Sequence, residues 1–212
     1  MERVLVVTHP EATHHVDRVV GGWFDSSLTE RGLRRAAEIA AYVRAAIPRD
    51  AEPQLVTSDL LRTRQTADAI GAELGVVPAL DADLREKSYG VAGGRPQAWL
   101  DERFIPPPAA GDRLGHVEGI DGAETMGRCV ARVYAAVARL TQRPAAHRVV
   151  VTHGGTAGFV IAAWLRIPAA ACGDARFRVP SGSVSVLELD DRYHNRSLVA
   201  LGVTDLAVGS PG

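Results

Sequence analysis

The tetrapeptide Val-Val-Thr-His occurs twice in this chain, at Val6–His9 and at Val150–His153. Each copy closes an apolar, β-branched run of the kind found in buried strands of a parallel sheet. Ligands bind at the carboxyl ends of such strands, so we expect the two imidazoles to converge on one site. An imidazole can attack an electrophile, carry a proton or hydrogen-bond an anion near neutral pH. One such histidine could simply end its strand, whereas two in matching contexts favour catalysis.

Two helix starts are predicted at the same edge of the sheet. Gly154 and Gly155 follow the second histidine and lead into an apolar helix, whose N-terminus favours an anion. The segment Ser58–Ala67 follows another short strand, and Arg62 in its first turn can bind an oxyanion through two parallel hydrogen bonds. Arg64 lies on a different side of that helix and is expected to be solvated.

A carboxylic acid opens the next loop. Leu84, Arg85 and Glu86 follow the second predicted helix. Taken alone, Glu86 fits a solvated loop residue. Beside an anion site, its carboxylic acid can instead donate a proton to a leaving group.

Strands alternate with helices along the chain, which predicts an α/β fold. The first predicted helix is capped by Thr29 and buries a stripe made of Leu33, Ala36, Ala37, Ala40, Val43 and Ile47. A frayed tail is expected from Val208. The other predicted elements are strand Gln54–Thr57, a helix capped by Ser58 from Asp59 to Leu74 and ended by Gly75, helix Ala123–Gln142, strand Arg148–Thr152, helix Thr156–Leu165, and a hairpin of Ser183–Leu189 with Ser197–Val203.

A glycine- and proline-rich stretch interrupts the pattern between about residues 79 and 121. Long irregular segments in a compact domain are usually functional or disordered. We interpret residues 88–122 as a lid-like excursion over the carboxyl edge of the sheet, with a short helical piece near Gln97–Phe104.

Length and composition fit a single domain over residues 1–212. The formal net charge of −1 gives no electrostatic case for nucleic-acid or membrane binding. Cys129 and Cys172 show no metal-ligand spacing and are expected to be buried free thiols. The first strand begins by Val4, which leaves no room for a signal peptide, and no apolar run approaches membrane-spanning length. A cytoplasmic protein is therefore expected.

Taken together, these motifs resemble the histidine phosphatase superfamily, which has the phosphoglycerate-mutase-like fold. The resemblance runs over about residues 4–200 in the family's order. Its most specific parts are the Ser-Asp-Leu-x-Arg-x-x-Gln-Thr-Ala helix start and the Thr-His-Gly-Gly motif. The matching segments are Thr8–Pro10, Gly22–Gly32, Ser58–Ala67, Leu84–Glu86, Gly122–Thr125 (loosely) and Thr152–Gly155.

The resemblance implies a three-layer αβα sandwich around a mostly parallel sheet, and a mechanism. His9 would attack the phosphorus of a small phosphorylated metabolite and become a phosphohistidine. Arg62 and His153 would bind the phosphoryl oxygens, with Gly154 at the helix start, and Glu86 would protonate the leaving oxygen and later activate water. Arg and His would supply the positive field, so no metal or cofactor is expected. Whether the protein forms a homodimer is left open by the resemblance.

Two positions depart from the family pattern, because Thr8 and Pro10 stand where the family has Arg and Gly. An Arg contact to a dianion typically contributes about 1.5–3 kcal/mol per hydrogen bond, whereas the Thr8 hydroxyl offers one neutral donor. Pro10 lacks a backbone N–H and stiffens the chain beside the nucleophile. Arg18 or His14 could replace the missing contact to the substrate. The alternatives are solvated histidines at 14 and 15, or a metal site that they form with His9 and Glu11.

Three functions compete on this evidence: a phosphatase, a phosphoglycerate-type mutase, and a degenerate member that binds an anionic ligand or a protein without turnover. The retention of His9, Arg62, Glu86 and His153 favours chemistry. We therefore predict a phosphomonoester hydrolase. The cations near the loop would favour small acidic esters if they are not simply solvated; they are Arg85, Lys87, Arg95 and Arg103.

Overall fold

One six-stranded sheet organises the protein, and the structure, a computed structural model, describes residues 1–206. Its strands are β1 (Glu2–Thr8), β2 (Gln54–Thr57), β3 (Ala79–Leu80), β4 (His147–Thr152), β5 (Val184–Leu189) and β6 (Arg196–Val203). The helices are α1 (Thr13–Val16), α2 (Glu30–Ala46), α3 (Leu61–Leu74), α4 (Gln97–Asp101), α5 (Met126–Gln142) and α6 (Gly154–Trp164).

The strand order is β3-β2-β4-β1-β5-β6. The first four of these strands are mutually parallel, and β5 and β6 add an antiparallel hairpin at one edge. In the β1–β4 pair the two Val-Val-Thr-His copies lie in register, with Thr8 opposite Thr152. Since each histidine directly follows its threonine, this register sets His9 beside His153.

Helices cover both faces of the sheet, which confirms the predicted three-layer αβα architecture. Successive side chains of a strand point to opposite faces. Val4, Val6 and Val150 therefore belong to one core cluster with residues of α5 and α6. Leu5 and Val7 belong to the other, with residues of α2 and α3. The sheet is buried on both sides, as its continuous apolar runs require.

Most predicted elements are confirmed, and the larger differences lie at helix ends and on one helix face. Ser58 does not cap α3, which begins at Leu61 rather than Asp59. The Oδ1 atom of Asp25 accepts the Leu61 N–H at 2.6 Å instead. On α2, Leu33 and Ala37 are exposed while Ile39 is fully buried, so the predicted buried stripe is wrong at two positions and lacks Ile39.

Three further boundaries differ from the prediction by two residues or more. Helix α5 begins at Met126, three residues later than predicted, and α4 ends at Asp101. Helix α6 begins at Gly154 rather than Thr156, so the glycine pair belongs to the helix and not to a turn before it. Val208, where fraying is predicted, lies outside the described residues.

The stretch between β3 and α5 is short of regular structure but well packed. A small cluster of buried apolar side chains lies beneath it: Val20, Ala92, Leu100 and Ile120. The ammonium group of Lys87 contacts Glu118 at 2.6 Å, and both side chains are at least nine-tenths buried. This ion pair ties the chain that follows Glu86 to the far end of the excursion.

Candidate active site

The two histidines of the repeated tetrapeptide form the centre of the candidate site. Their ring centroids lie 5.1 Å apart, and both side chains are buried. The Nδ1 atom of His9 lies 2.8 Å from the carbonyl oxygen of Pro10. Because a carbonyl can only accept, Nδ1 carries the ring proton and the lone pair is on Nε2. The carbonyl group of Pro10 therefore fixes the tautomer of His9. This contact does not need a backbone N–H at residue 10, so proline is tolerated there.

The second ring, that of His153, is held by a residue that follows the neighbouring strand β2. The Nε2 atom of His153 lies 3.0 Å from the hydroxyl of Ser58, at the end of β2. Its Nδ1 atom is buried without a hydrogen-bond partner within residues 1–206. A buried polar atom without a partner is unfavourable, so this nitrogen is ready to bind a ligand in the site.

Both rings are neutral in this environment. Burial and the neighbouring Arg62 guanidinium lower the pKa of His9 and of His153 well below the usual histidine value. Only a neutral imidazole has a free lone pair, so His9 is in the form that a nucleophile requires.

Arg62 supplies the positive charge of the site, and its side chain is only 1% exposed. Its Nε atom donates to His9 Nε2 at 3.2 Å. Its two terminal nitrogens donate to the carbonyl oxygens of Phe24 and Gly22 at 2.8 and 2.7 Å. Burial lowers the pKa of Arg62 to about 10, which leaves it charged at neutral pH. These contacts fix the guanidinium and leave other N–H groups for an anion.

Glu86 lies at the start of α6, where the helix dipole favours negative charge. One carboxylate oxygen accepts the Gly155 N–H at 2.9 Å, and the other accepts the Lys87 N–H at 2.9 Å. The Thr156 hydroxyl lies 3.1 Å from that second oxygen and shares its single proton between it and a backbone carbonyl. A Cβ atom on Gly155 would lie 2.7 Å from Glu86 Oε1, so this close approach requires glycine. The predicted role of Gly154 in binding the substrate stays a prediction.

Arg132 is a residue that the sequence motifs did not reveal. Its guanidinium donates to the carbonyl oxygens of Asp83, Arg85 and Glu86 at 2.7 to 2.9 Å. It also pairs with both carboxylate oxygens of Glu124, at 2.7 and 2.9 Å. This partly buried pair holds the loop that carries Glu86. Glu124 belongs to the loosely matched segment 122–125, which was the one available signal.

Thr8 does not take the role expected of it. Its side chain is fully buried, and its hydroxyl donates to the carbonyl oxygen of Pro180 at 2.6 Å. The single hydroxyl proton is thus committed to the protein, so Thr8 is not a substrate donor. Arg18 is exposed, and its side chain makes no hydrogen bond or ion pair with the described residues; its part in substrate binding stays a prediction.

His14 is not the solvated residue that one alternative described. It is 7% exposed, and its Nδ1 atom lies 2.6 Å from the Ser26 hydroxyl. Burial, then the neighbouring His15 and Arg62, lower its pKa to about 3. His14 therefore stays neutral, and substrate binding by it stays a prediction.

His15 is the loop histidine better placed beside the nucleophile. Its ring stacks on that of His9 with centroids 5.8 Å apart. The Ala12 N–H donates to its Nδ1 atom at 3.1 Å, which leaves the ring proton on Nε2. His15 thus offers a neutral N–H donor near His9. Within residues 1–206 no group of three or more His, Cys, Asp or Glu side chains can hold a metal ion, which disfavours the metal-site alternative.

The fold and this cluster define the class: an α/β protein with a buried His–His–Arg cluster and a carboxylate at the carboxyl edge of its sheet. The chain belongs to the histidine phosphatase superfamily (branch 1), whose family model matches residues 4–201. Within residues 1–206, every helix is too short or too polar to cross a membrane.

Relatives and solved structures agree with this membership. A Yersinia pestis (strain Pestoides F) protein named "Probable phosphoglycerate mutase GpmB" is 32% identical over 197 residues, which cover 90% of this chain and 86% of that protein. A mycobacterial glucosyl-3-phosphoglycerate phosphatase structure has a TM-score of 0.75 at 25% identity and covers 96% of this chain and 100% of its own. The Shigella flexneri alpha-ribazole phosphatase shows the same fold, with a TM-score of 0.76 at 20% identity and coverage of 99% and 100%.

Proposed function

We propose that this protein is a phosphomonoester hydrolase that works through a phosphohistidine on His9. The observation that carries the proposal is the tautomer of His9, whose Nε2 lone pair lies beside the buried charge of Arg62. In the first step Nε2 forms a bond to phosphorus while the bond to the leaving oxygen breaks. The Glu86 carboxylic acid gives its proton to that oxygen.

The contact between Arg62 and His9 links binding to attack. Without substrate, the Arg62 Nε–H occupies the lone pair of His9 Nε2. A phosphoryl oxygen of the substrate is a stronger acceptor for this donor, since it is charged. Binding therefore moves the hydrogen bond from the nucleophile to the substrate and frees the lone pair for attack.

The second step regenerates the enzyme. The Glu86 carboxylate takes a proton from water, whose oxygen attacks phosphorus and displaces His9 Nε2. The sum is ester plus water giving alcohol plus phosphate. Arg62, His153 Nδ1 and His15 Nε2 are the groups that we assign to the phosphoryl oxygens, in place of a donor at Thr8.

A phosphoglycerate-type mutase is the second candidate, since the 32% identical relative carries that name. A mutase must return the phosphoryl group to a bound product before water reaches the phosphohistidine. The glucosyl-3-phosphoglycerate phosphatase structure covers 96% of this chain, and its name favours hydrolysis.

The test is phosphate release from a panel of phosphorylated metabolites, with and without chelator. We expect release by the parent protein, none by His9→Ala, and a loss of ~100-fold or more in kcat/KM for Arg62→Gln. Arg64→Gln is the matched control, because Arg64 is exposed two residues further along α3, and it should match the parent. Transfer to an acceptor without phosphate release would favour the mutase. Binding of phosphomonoesters without either reaction would favour a degenerate member.

A further inference from the structure

Two arginines near the candidate site have no acidic partner within residues 1–206. Arg176 and Arg178 are exposed, in the irregular chain that precedes β5. Arg178 makes no hydrogen bond or ion pair there, and Arg176 reaches only the sulfur of Met126, at 3.6 Å. Unpaired arginines that face one space are suited to bind an anion.

The cations that the sequence singled out behave differently. Arg85 forms an ion pair with Asp59, Lys87 with Glu118 and Arg103 with Glu102. The guanidinium of Arg95 lies over the ring of Trp99. Each of these four side chains thus has a partner within residues 1–206, whereas Arg176 and Arg178 have no acidic one.

Arg176 and Arg178 line a cavity of about 570 Å³ between the excursion and the loop before β5. Its apolar wall includes the rings of Tyr89 and Phe104. The two acidic side chains on its wall are already paired, Glu118 with Lys87 and Asp174 with Arg113. The unpaired charges that face the cavity are therefore positive.

The cavity lies on the Glu86 side of the site. Lys87, the residue after Glu86, is part of its wall. Arg176 and Arg178 also line a neighbouring cavity together with Gly154 and Gly155, and the Gly155 N–H binds the Glu86 carboxylate. In an in-line displacement the leaving oxygen is opposite the attacking nitrogen and next to the acid that protonates it. The remainder of the leaving group then extends into this space.

We infer that the cavity binds the leaving group of the substrate, and that Arg176 and Arg178 hold a second anionic group on it, a carboxylate or a phosphate. This inference rests on the proposed phosphatase function and specifies the substrate class. The substrate is a phosphomonoester with a second negative charge on a leaving group small enough for the cavity. A guanidinium binds either anion through paired N–H groups, so both fit the same chemistry.

The test compares esters that differ only in that charge. The probes are para-carboxyphenyl phosphate, its uncharged near-isostere para-carbamoylphenyl phosphate, and para-phenylene bisphosphate. We expect the parent to prefer the carboxylate or the bisphosphate over the carboxamide by ~10-fold or more in kcat/KM, and this ratio should fall toward one in Arg176→Gln/Arg178→Gln. Arg34→Gln changes an exposed arginine of α2 and should keep the parental ratio. Comparison of the two charged probes separates a carboxylate site from a phosphate site.

The possible outcomes distinguish a failure of the proposed anion site from a failure of the proposed phosphatase function. Equal hydrolysis of all three probes by the parent, or a parental ratio in the double variant, overturns the anion site and leaves the phosphatase intact. If no probe is hydrolysed, calorimetric binding of the same three esters decides. Tighter binding of the charged esters by the parent, lost in the double variant, supports the anion site even though the proposed phosphatase activity is then refuted. Equal binding of all three overturns the site.

Discussion

Gly155→Ala tests the role of Glu86 without removing any functional group. The new Cβ atom would lie 2.7 Å from Glu86 Oε1, about 0.7 Å inside an ordinary contact of 3.4 Å. Helix α6 fixes the backbone, so the carboxylate has to move and its 2.9 Å hydrogen bond to the Gly155 N–H weakens. A misplacement on the order of 1 Å can lower a rate by about 100-fold. We therefore expect kcat/KM for an alkyl phosphate to fall by 10- to 100-fold.

Stability should not fall with it. An alanine within a helix is favoured over glycine by up to about 1 kcal/mol, which offsets the displacement of one flexible side chain. Gly154→Ala is the matched control, because its Cβ would meet only the Val179 carbonyl oxygen at 3.5 Å and its backbone N–H is kept. Denaturant unfolding and steady-state kinetics on both variants separate the two effects.

The choice of substrate sharpens the result. An alkyl leaving group needs a proton, whereas para-nitrophenolate leaves without one. The loss in Gly155→Ala should thus be large for the alkyl ester and small for para-nitrophenyl phosphate. Parental hydrolysis of the alkyl ester, or equal losses with both esters, would refute the assignment of Glu86 as the proton donor.

Three further predictions follow from buried contacts. Thr8→Val should change kcat/KM by no more than ~2-fold, because the Thr8 hydroxyl donates to the Pro180 carbonyl oxygen and not to the substrate. The free energy of unfolding should fall by about 1 kcal/mol. A large loss in kcat/KM would show that Thr8 does donate to the substrate. Arg132→Met should lower that free energy by about 1.5–3 kcal/mol, because the partly buried Glu124 carboxylate loses its charged partner and keeps the Ser88 N–H. Glu124→Gln in the same chain should recover part of this loss, and a loss under ~0.5 kcal/mol in chemical denaturation would contradict the role of the pair. The pKa values of His9 and His153 are lowered in the folded protein, so below the usual histidine pKa of 6.5 the unfolded chain binds more protons. The free energy of unfolding should therefore be constant just above pH 6.5 and fall below it by about 1.4 kcal/mol per pH unit for each ring. A flat profile from pH 7 to pH 5 would show that these rings are not buried in the neutral form.

The parts of the fold and site that follow local rules were predictable from the sequence. The strand runs that end at His9 and His153 are β-branched and apolar over their whole length, which predicts a sheet buried on both faces. The convergence of the two histidines at one sheet edge was predicted from these runs, whereas the register that sets Thr8 opposite Thr152 was not. The prediction for Arg62 required only that the residue lie in the first turn of α3. This remains true although α3 begins at Leu61, later than predicted.

Two local interpretations differ from the structure for the same physical reason, because each side chain contacts a residue far along the chain. Ser58 looked like a helix cap, but its hydroxyl serves His153 and Asp25 caps α3 instead. The Thr8 hydroxyl looked free to donate to a phosphate, but it donates a hydrogen bond to the carbonyl oxygen of Pro180, far along the chain. Sequence spacing does not show such long-range partners.

Arg132 is the clearest case of a residue that the sequence could not assign. Its guanidinium joins the carbonyl oxygens of the loop at 83–86 with Glu124, which no local pattern in α5 indicates. The lack of an acidic partner for Arg176 and Arg178 is likewise a property of the folded protein, because ion pairing depends on residues far apart in the sequence.

Trapping of a covalent intermediate tests the central claim most directly. The protein is mixed with a phosphomonoester that the panel identifies as a substrate, quenched within one turnover under alkaline conditions that preserve phosphohistidine, digested and mapped by mass spectrometry. The account predicts one phosphoryl group on the peptide that contains His9, and no label on that peptide in His9→Ala. A label on His153, His14 or His15 instead, or phosphate release by a parent protein that is never phosphorylated, would contradict it.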